Sequence, residues 1–149
     1  MDEQQVEQPV LGPALAVPPI DLNAIAQIES SGGRHTKSAI SGDSIGTFQV
    51  RPIVAQEYKR VMKQDVDLTN PEQNQMVANW YLQDYIPKYL TNHSIPVVPD
   101  HIIASYNMGP AGFAKHYRSN KGDLSGLPSI TAQYLKKYAK LTEGTDALA

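Results

Sequence analysis

Glu29 has the surroundings of a proton donor. It falls in the last turn of a helix that Asp21 can cap and Gly32-Gly33 can end. There the negative end of the helix macrodipole disfavours a carboxylate, and Ile25 and Ile28 bring apolar surface beside it. Both effects push a pKa upward, the direction a general acid working near neutral pH needs. Position alone also allows the plainer reading of a surface glutamate near a helix end. Asp43, fourteen residues on, is the candidate second carboxylate. Its loop is rich in Gly and Ser, so a solvated turn aspartate is the plainer reading there. His35, His93, His101 and His116 are scattered without metal-ligand spacing, so no metal and no cofactor is expected. No Gly-x-Ser-x-Gly elbow and no phosphate-binding loop occurs. The absence of cysteine removes thiol nucleophiles, Cys-ligated metals and disulfides.

The elements that must position Glu29 read as helices, because few alternating β-branched runs occur. Leu22, Ile25 and Ile28 form the apolar stripe of the first. Pro52 suits the first turn of a second over residues 53–62, with Val54, Tyr58, Val61 and Met62 on one face. Asn70-Pro71 opens the longest and most central helix, bearing Met76, Val77, Trp80, Tyr81 and Tyr85 until Pro87 disturbs it. Pro99-Asp100 opens another, with Ile102, Ile103 and Tyr106, and Gly109-Pro110 ends it. A short helix over residues 111–117 and a last one over residues 129–141, with Ile130, Tyr134, Leu135 and Tyr138 inward, complete six. Residues 34–50 read as a loop or a small irregular hairpin. Tyr81, Tyr85 and Tyr89 at helical spacing read as core and rim, with a sugar platform as the other possibility.

The 149 residues suit one domain able to bury its own core. Residues 1–20 hold four of the eleven prolines and read as a flexible tail, residues 21–141 as the folded domain, and residues 142–149 as a frayed end. A net charge of −2 gives no footprint for nucleic acid. The basic final third, with Lys115, Arg118, Lys121, Lys136, Lys137 and Lys140, reads as a solvated face that could also favour an anionic cell wall. No apolar run approaches the ~20 residues of a membrane span. Asp2, Glu3 and Glu7 stand where a secretory signal would carry Lys or Arg, so no signal peptide is expected.

Three segments then occur in a telling order: Ala26-Gln27-Ile28-Glu29-Ser30-Ser31-Gly32, Gly46-Thr47-Phe48-Gln49-Val50-Arg51-Pro52 and Ala104-Ser105-Tyr106-Asn107-Met108-Gly109-Pro110. Together they resemble the soluble lytic transglycosylase family of the lysozyme-like superfamily, over about residues 22–138. The resemblance implies an all-α domain of that α+β superfamily, a single helical lobe with a substrate cleft. It implies Glu29 as the single catalytic acid and Ser30 as the neighbour that shapes the site. Gln49 matches the cleft glutamine, Phe48 stands where the family has Met, and Tyr106 and Asn107 match its Tyr-Asn pair. Thr131-Ala132-Gln133-Tyr134-Leu135 resembles a further element that places Tyr134 at the cleft, although Ile130 and Ala132 replace its Glu and Arg.

The implied substrate is the glycan strand of peptidoglycan, cut between N-acetylmuramic acid and N-acetylglucosamine with formation of a 1,6-anhydro ring. One carboxyl suffices for that reaction, because the sugar's own acetamido group can take the part of a second. The alternatives are a muramidase resembling goose-type lysozyme, with Asp43 as second carboxylate, and a lysozyme-fold structural component of a virion or secretion machine. The expected setting is a bacteriophage particle, with a dedicated secretion apparatus as the second choice, contacted through the N-terminal tail and acting on the cell wall in the periplasm.

Overall fold

Prolines and capping side chains set where the helices begin. The computed structural model describes residues 16–33 and 43–148. In it α1 spans Leu22–Ser30, α2 Pro52–Met62, α3 Pro71–Trp80, α4 Ile86–Asn92, α5 Pro99–Met108, α6 Pro110–Ser119 and α7 Ser129–Leu148. Pro52, Pro71, Pro99 and Pro110 each occupy a first helical position, where the missing N–H costs nothing. Asp21 accepts from the Ala24 N–H at 3.1 Å and Asn70 from the Gln73 N–H at 3.0 Å, so both helices start on a side-chain cap. α1 stops at Ser31, whose φ of 55° reverses the chain ahead of Gly32 and Gly33.

The long helix read from Asn70 does not end at Pro87. Between α3 and α4 the chain makes a π-helical turn, Tyr81–Tyr85, in which the Tyr81 carbonyl accepts from the Ile86 N–H five residues on. The wider turn gives Pro87 room for its ring and lets the chain carry on into α4 despite the missing donor. The centre of the core is α5 rather than α3: residues 101–106 are buried one after another, and α5 packs against α6, α7, α4 and the π turn. Ile25, Val77, Leu82, Ile86, Leu90, Ile102, Ile103 and Phe113 fill the space around it. Val61, Met62, Met76 and Ile130, placed inward by helical spacing, are exposed. The first two lie in the last turn of α2, beyond the edge of the core, and Ile130 stands on the cleft described below.

Of the expected hairpin the structure shows one antiparallel pair, Ile45 with Val50, closing a turn over residues 46–49. Residues 34–42 lie outside the described residues. At the N-terminal side, Ile20 is buried and Val17 packs on the core, and the Asp21 N–H donates to the Tyr138 hydroxyl at 2.9 Å. Residues 17 and 20 thus contribute to the domain, whereas residues 1–15 of the expected tail lie outside the described residues. α7 continues to Leu148 instead of ending near Leu141, since no proline follows to stop it. Among the described residues no helix is long and apolar enough to cross a membrane.

Candidate active site

α1, α3 and α5 converge on the turn over residues 46–49 and hold its backbone from three sides. Ser30, the buried last residue of α1, donates to the Thr47 carbonyl at 2.6 Å and accepts from the Gly33 N–H at 2.9 Å. Asn74 in α3 is wholly buried. It accepts from the Phe48 N–H at 3.0 Å and donates to the carbonyls of Ile45 at 2.8 Å and Leu68 at 3.0 Å. Tyr106 in α5 donates to the Phe48 carbonyl at 2.6 Å. Gly46 is required at the start of the turn: its φ is 79°, and a Cβ there would collide with the Asn74 amide. The Gln49 side chain folds back to donate to the Gly46 carbonyl at 2.9 Å, with its own φ at 49°.

In front of this turn lies a cleft of about 400 Å³, bounded by α1, the turn, the start of α2, the π turn, α5 and α7. Glu29 enters it from the end of α1. Its Oε2 accepts from the Tyr134 hydroxyl of α7 at 2.7 Å. Burial pushes the Glu29 carboxyl from 4.5 up to about 7, and the Tyr134 hydrogen bond opposes the rise without cancelling it. Burial and the adjacent Glu29 charge raise the Tyr106 and Tyr134 hydroxyls well above the ordinary tyrosine value, so both remain proton donors in neutral solution. Thr131 of α7 donates to the Asn107 Oδ1 at 2.7 Å, which ties two walls of the cleft together.

Of the residues singled out from sequence, Glu29, Gln49, Tyr106, Asn107 and Tyr134 meet in this cleft. Ser30 and Phe48 do not line it: both are buried behind its wall, where Ser30 fixes the turn and Phe48 joins the core while its backbone takes the Asn74 and Tyr106 bonds. Asp43 is exposed and does not line it either. Residues 34–42 contain no Asp or Glu. Among the described residues, Glu29 is therefore the one carboxylate of the cleft. Arg51, Tyr81, Gln133 and Lys137 also line it. Their signals in the sequence are positional: Arg51 lies two residues beyond Gln49, Tyr81 on the aromatic face of its helix, and Gln133 and Lys137 beside and one turn beyond Tyr134.

The family model of the transglycosylase SLT domain matches residues 13–125. No curated protein and no solved structure matches the chain. The matched stretch carries Glu29, the Asn74-clamped turn and the Tyr106-Asn107 pair, and it ends ahead of α7, which brings Tyr134 to the acid. With the match spanning well over half of the sequence and containing the residues that build most of the cleft, the chain belongs to the transglycosylase SLT domain family.

Proposed function

We propose that this chain is a lytic transglycosylase that cleaves the β-1,4 bond between N-acetylmuramic acid and N-acetylglucosamine and leaves a 1,6-anhydromuramyl end. Family membership supports a transglycosylase-type peptidoglycan glycosidase. The observation that carries the finer reading is a solitary cleft carboxyl with a pKa of about 7, with no second carboxylate lining the cleft among the described residues.

The protonated Glu29 gives its proton to the glycosidic oxygen as the bond from that oxygen to the muramyl anomeric carbon breaks. The muramyl acetamido carbonyl supports the positive charge at the anomeric carbon, the part a protein carboxylate plays in two-carboxyl enzymes. Glu29, now a carboxylate, takes the proton of the muramyl 6-hydroxyl while that oxygen bonds to the anomeric carbon. The acid is restored and no water is consumed. Tyr134 holds the carboxyl in place through its hydrogen bond, and Gln49 and Asn107 border the space where the sugar ring must lie.

Mass spectrometry of the products released from purified peptidoglycan tests this. Anhydro-muropeptides are expected from the protein and are lost in Glu29→Gln, with a rate decrease of at least about a hundredfold. Reducing-end products would instead make the protein a muramidase. Equal, negligible release by both proteins would leave a lysozyme-fold structural component.

A further inference from the structure

Two cations line the cleft together with the acid. Arg51, which precedes α2, and Lys137 of α7 both border it. Neither takes part in the ion pairs found among the described residues, which join Lys59 to Asp65, Arg60 to Glu57 and Lys88 to Asp84. The Arg51 guanidinium reaches over the junction of α5 and α6, where a Cβ built on Gly109 would stand 3.7 Å from its Nη2. Its charge acts on the Tyr81 hydroxyl of the same cleft. Glu29 is tuned by burial and by Tyr134, not by either cation. Arg51 and Lys137 are therefore not there to ionise the acid.

Arg51 is half-buried, and among the described residues no carboxylate is paired with it. Its fork of donors matches a carboxylate, and a lysine ammonium on the same cleft adds a second positive charge for that group to face. With Glu29 half-protonated near pH 7, the cleft is net positive although the whole chain carries −2.

We propose that Arg51 and Lys137 form a subsite that reads a carboxylate carried by the muramyl residues of the glycan strand. The proposal rests on the glycan-cleaving reading above and specifies its substrate. Two sources supply the charge. Where the stem peptide is attached, the muramyl lactyl group is an amide and the free carboxylates belong to the peptide. Where the peptide has been removed, the lactyl carboxylate itself is exposed.

The test uses the full chain carrying Glu29→Gln, so that binding is read without turnover, and three soluble oligosaccharides of equal length. One bears stem peptides, one is stripped to lactyl carboxylates, and one is an N-acetylglucosamine oligomer. In low salt, at least one charged ligand is expected to bind about tenfold more tightly than the neutral one. Adding Arg51→Gln or Lys137→Gln is expected to remove most of that advantage by weakening the charged ligands severalfold more than the neutral one, while Arg51→Lys keeps part of it. An advantage retained by the stripped strand assigns the lactyl carboxylate, and one confined to the peptide-bearing strand assigns the stem. Equal affinity for all three ligands overturns the subsite and leaves glycan cleavage standing, as does an equal loss for all three in the Gln variants. Failure to bind any of the three overturns the glycan reading and the subsite with it.

Discussion

The Glu29 carboxyl is held between two opposing influences, burial that favours the proton and a tyrosine hydroxyl that favours its release. Tyr134→Phe removes only the second. The pKa of Glu29 then rises above about 7, and the alkaline limb of the pH profile of kcat/KM moves to higher pH by up to about one unit. The rate at the optimum falls as well, because the carboxyl loses the contact that orients it. A limb that stays in place or moves to lower pH would show that Tyr134 does not act through this hydrogen bond. The local cues at Glu29, a helix end and nearby isoleucines, suit a proton donor or a surface carboxylate alike, and the resemblance of its segment singles it out. Its contact with Tyr134 spans 105 positions and leaves no local pattern. Ser30 and Phe48 enter the expected site through the resemblance, Ser30 as the neighbour that shapes it and Phe48 at the position of the family's Met. Successive residues of a helix point about 100° apart, so the neighbour of a cleft-facing residue faces the interior, as Ser30 does.

At the scale of elements, the site depends on a short turn that cannot hold its own shape. Residues 46–49 have one pair of bridge hydrogen bonds at their base and the Gln49 backbone and side-chain bonds to the Gly46 carbonyl, and Ser30, Asn74 and Tyr106 on three helices hold them from outside. Asn74→Ala leaves the Phe48 N–H and the Leu68 carbonyl without this partner and the Ile45 carbonyl with the Val50 N–H alone, a loss of about 2 to 4 kcal/mol in denaturant unfolding. Gly46→Ala forces a side chain into the Asn74 amide at a positive φ and is expected to cost a similar amount. In both variants kcat/KM should fall further than the unfolded fraction accounts for, since the turn also supplies Gln49 and the acceptor of Tyr106. A loss of activity that only follows the unfolded fraction would make the turn a matter of stability alone. The helix starts were legible because proline and capping residues announce them. Asn74 was not, because a polar residue on a helix reads as solvent-facing while here it is the buried centre of three hydrogen bonds. The π turn was hidden for a related reason: Pro87 reads as a breaker until the widened turn ahead of it is seen.

Over the whole molecule, the protonation of Glu29 is coupled to folding. Its pKa is about 4.5 in the unfolded chain and about 7 in the folded one, so between these values the folded state holds more protons and stability falls as pH rises. Glu29 keeps part of its surface open to solvent, and the loss amounts to about 1 to 3 kcal/mol, complete once the pH has passed 7. Glu57 acts in the opposite sense. The bidentate Arg60 contact and the Tyr85 hydroxyl lower it from 4.5 to about 2, so its contribution is present above 4.5 and disappears as pH falls toward 2. From these two groups the thermal midpoint is expected to peak near pH 5 and to decline on both sides. Glu29→Gln removes the alkaline decline alone: the variant should match the parent near pH 4.5 and exceed it by about 1 to 3 kcal/mol at pH 8, while losing catalysis. Glu57→Gln should flatten the acid side and leave the alkaline decline as it is. A parent protein equally stable at pH 5 and pH 8 would mean that the carboxyl in the cleft ionises as freely as it does in water, and the single-acid chemistry would lose its proton donor near neutral pH.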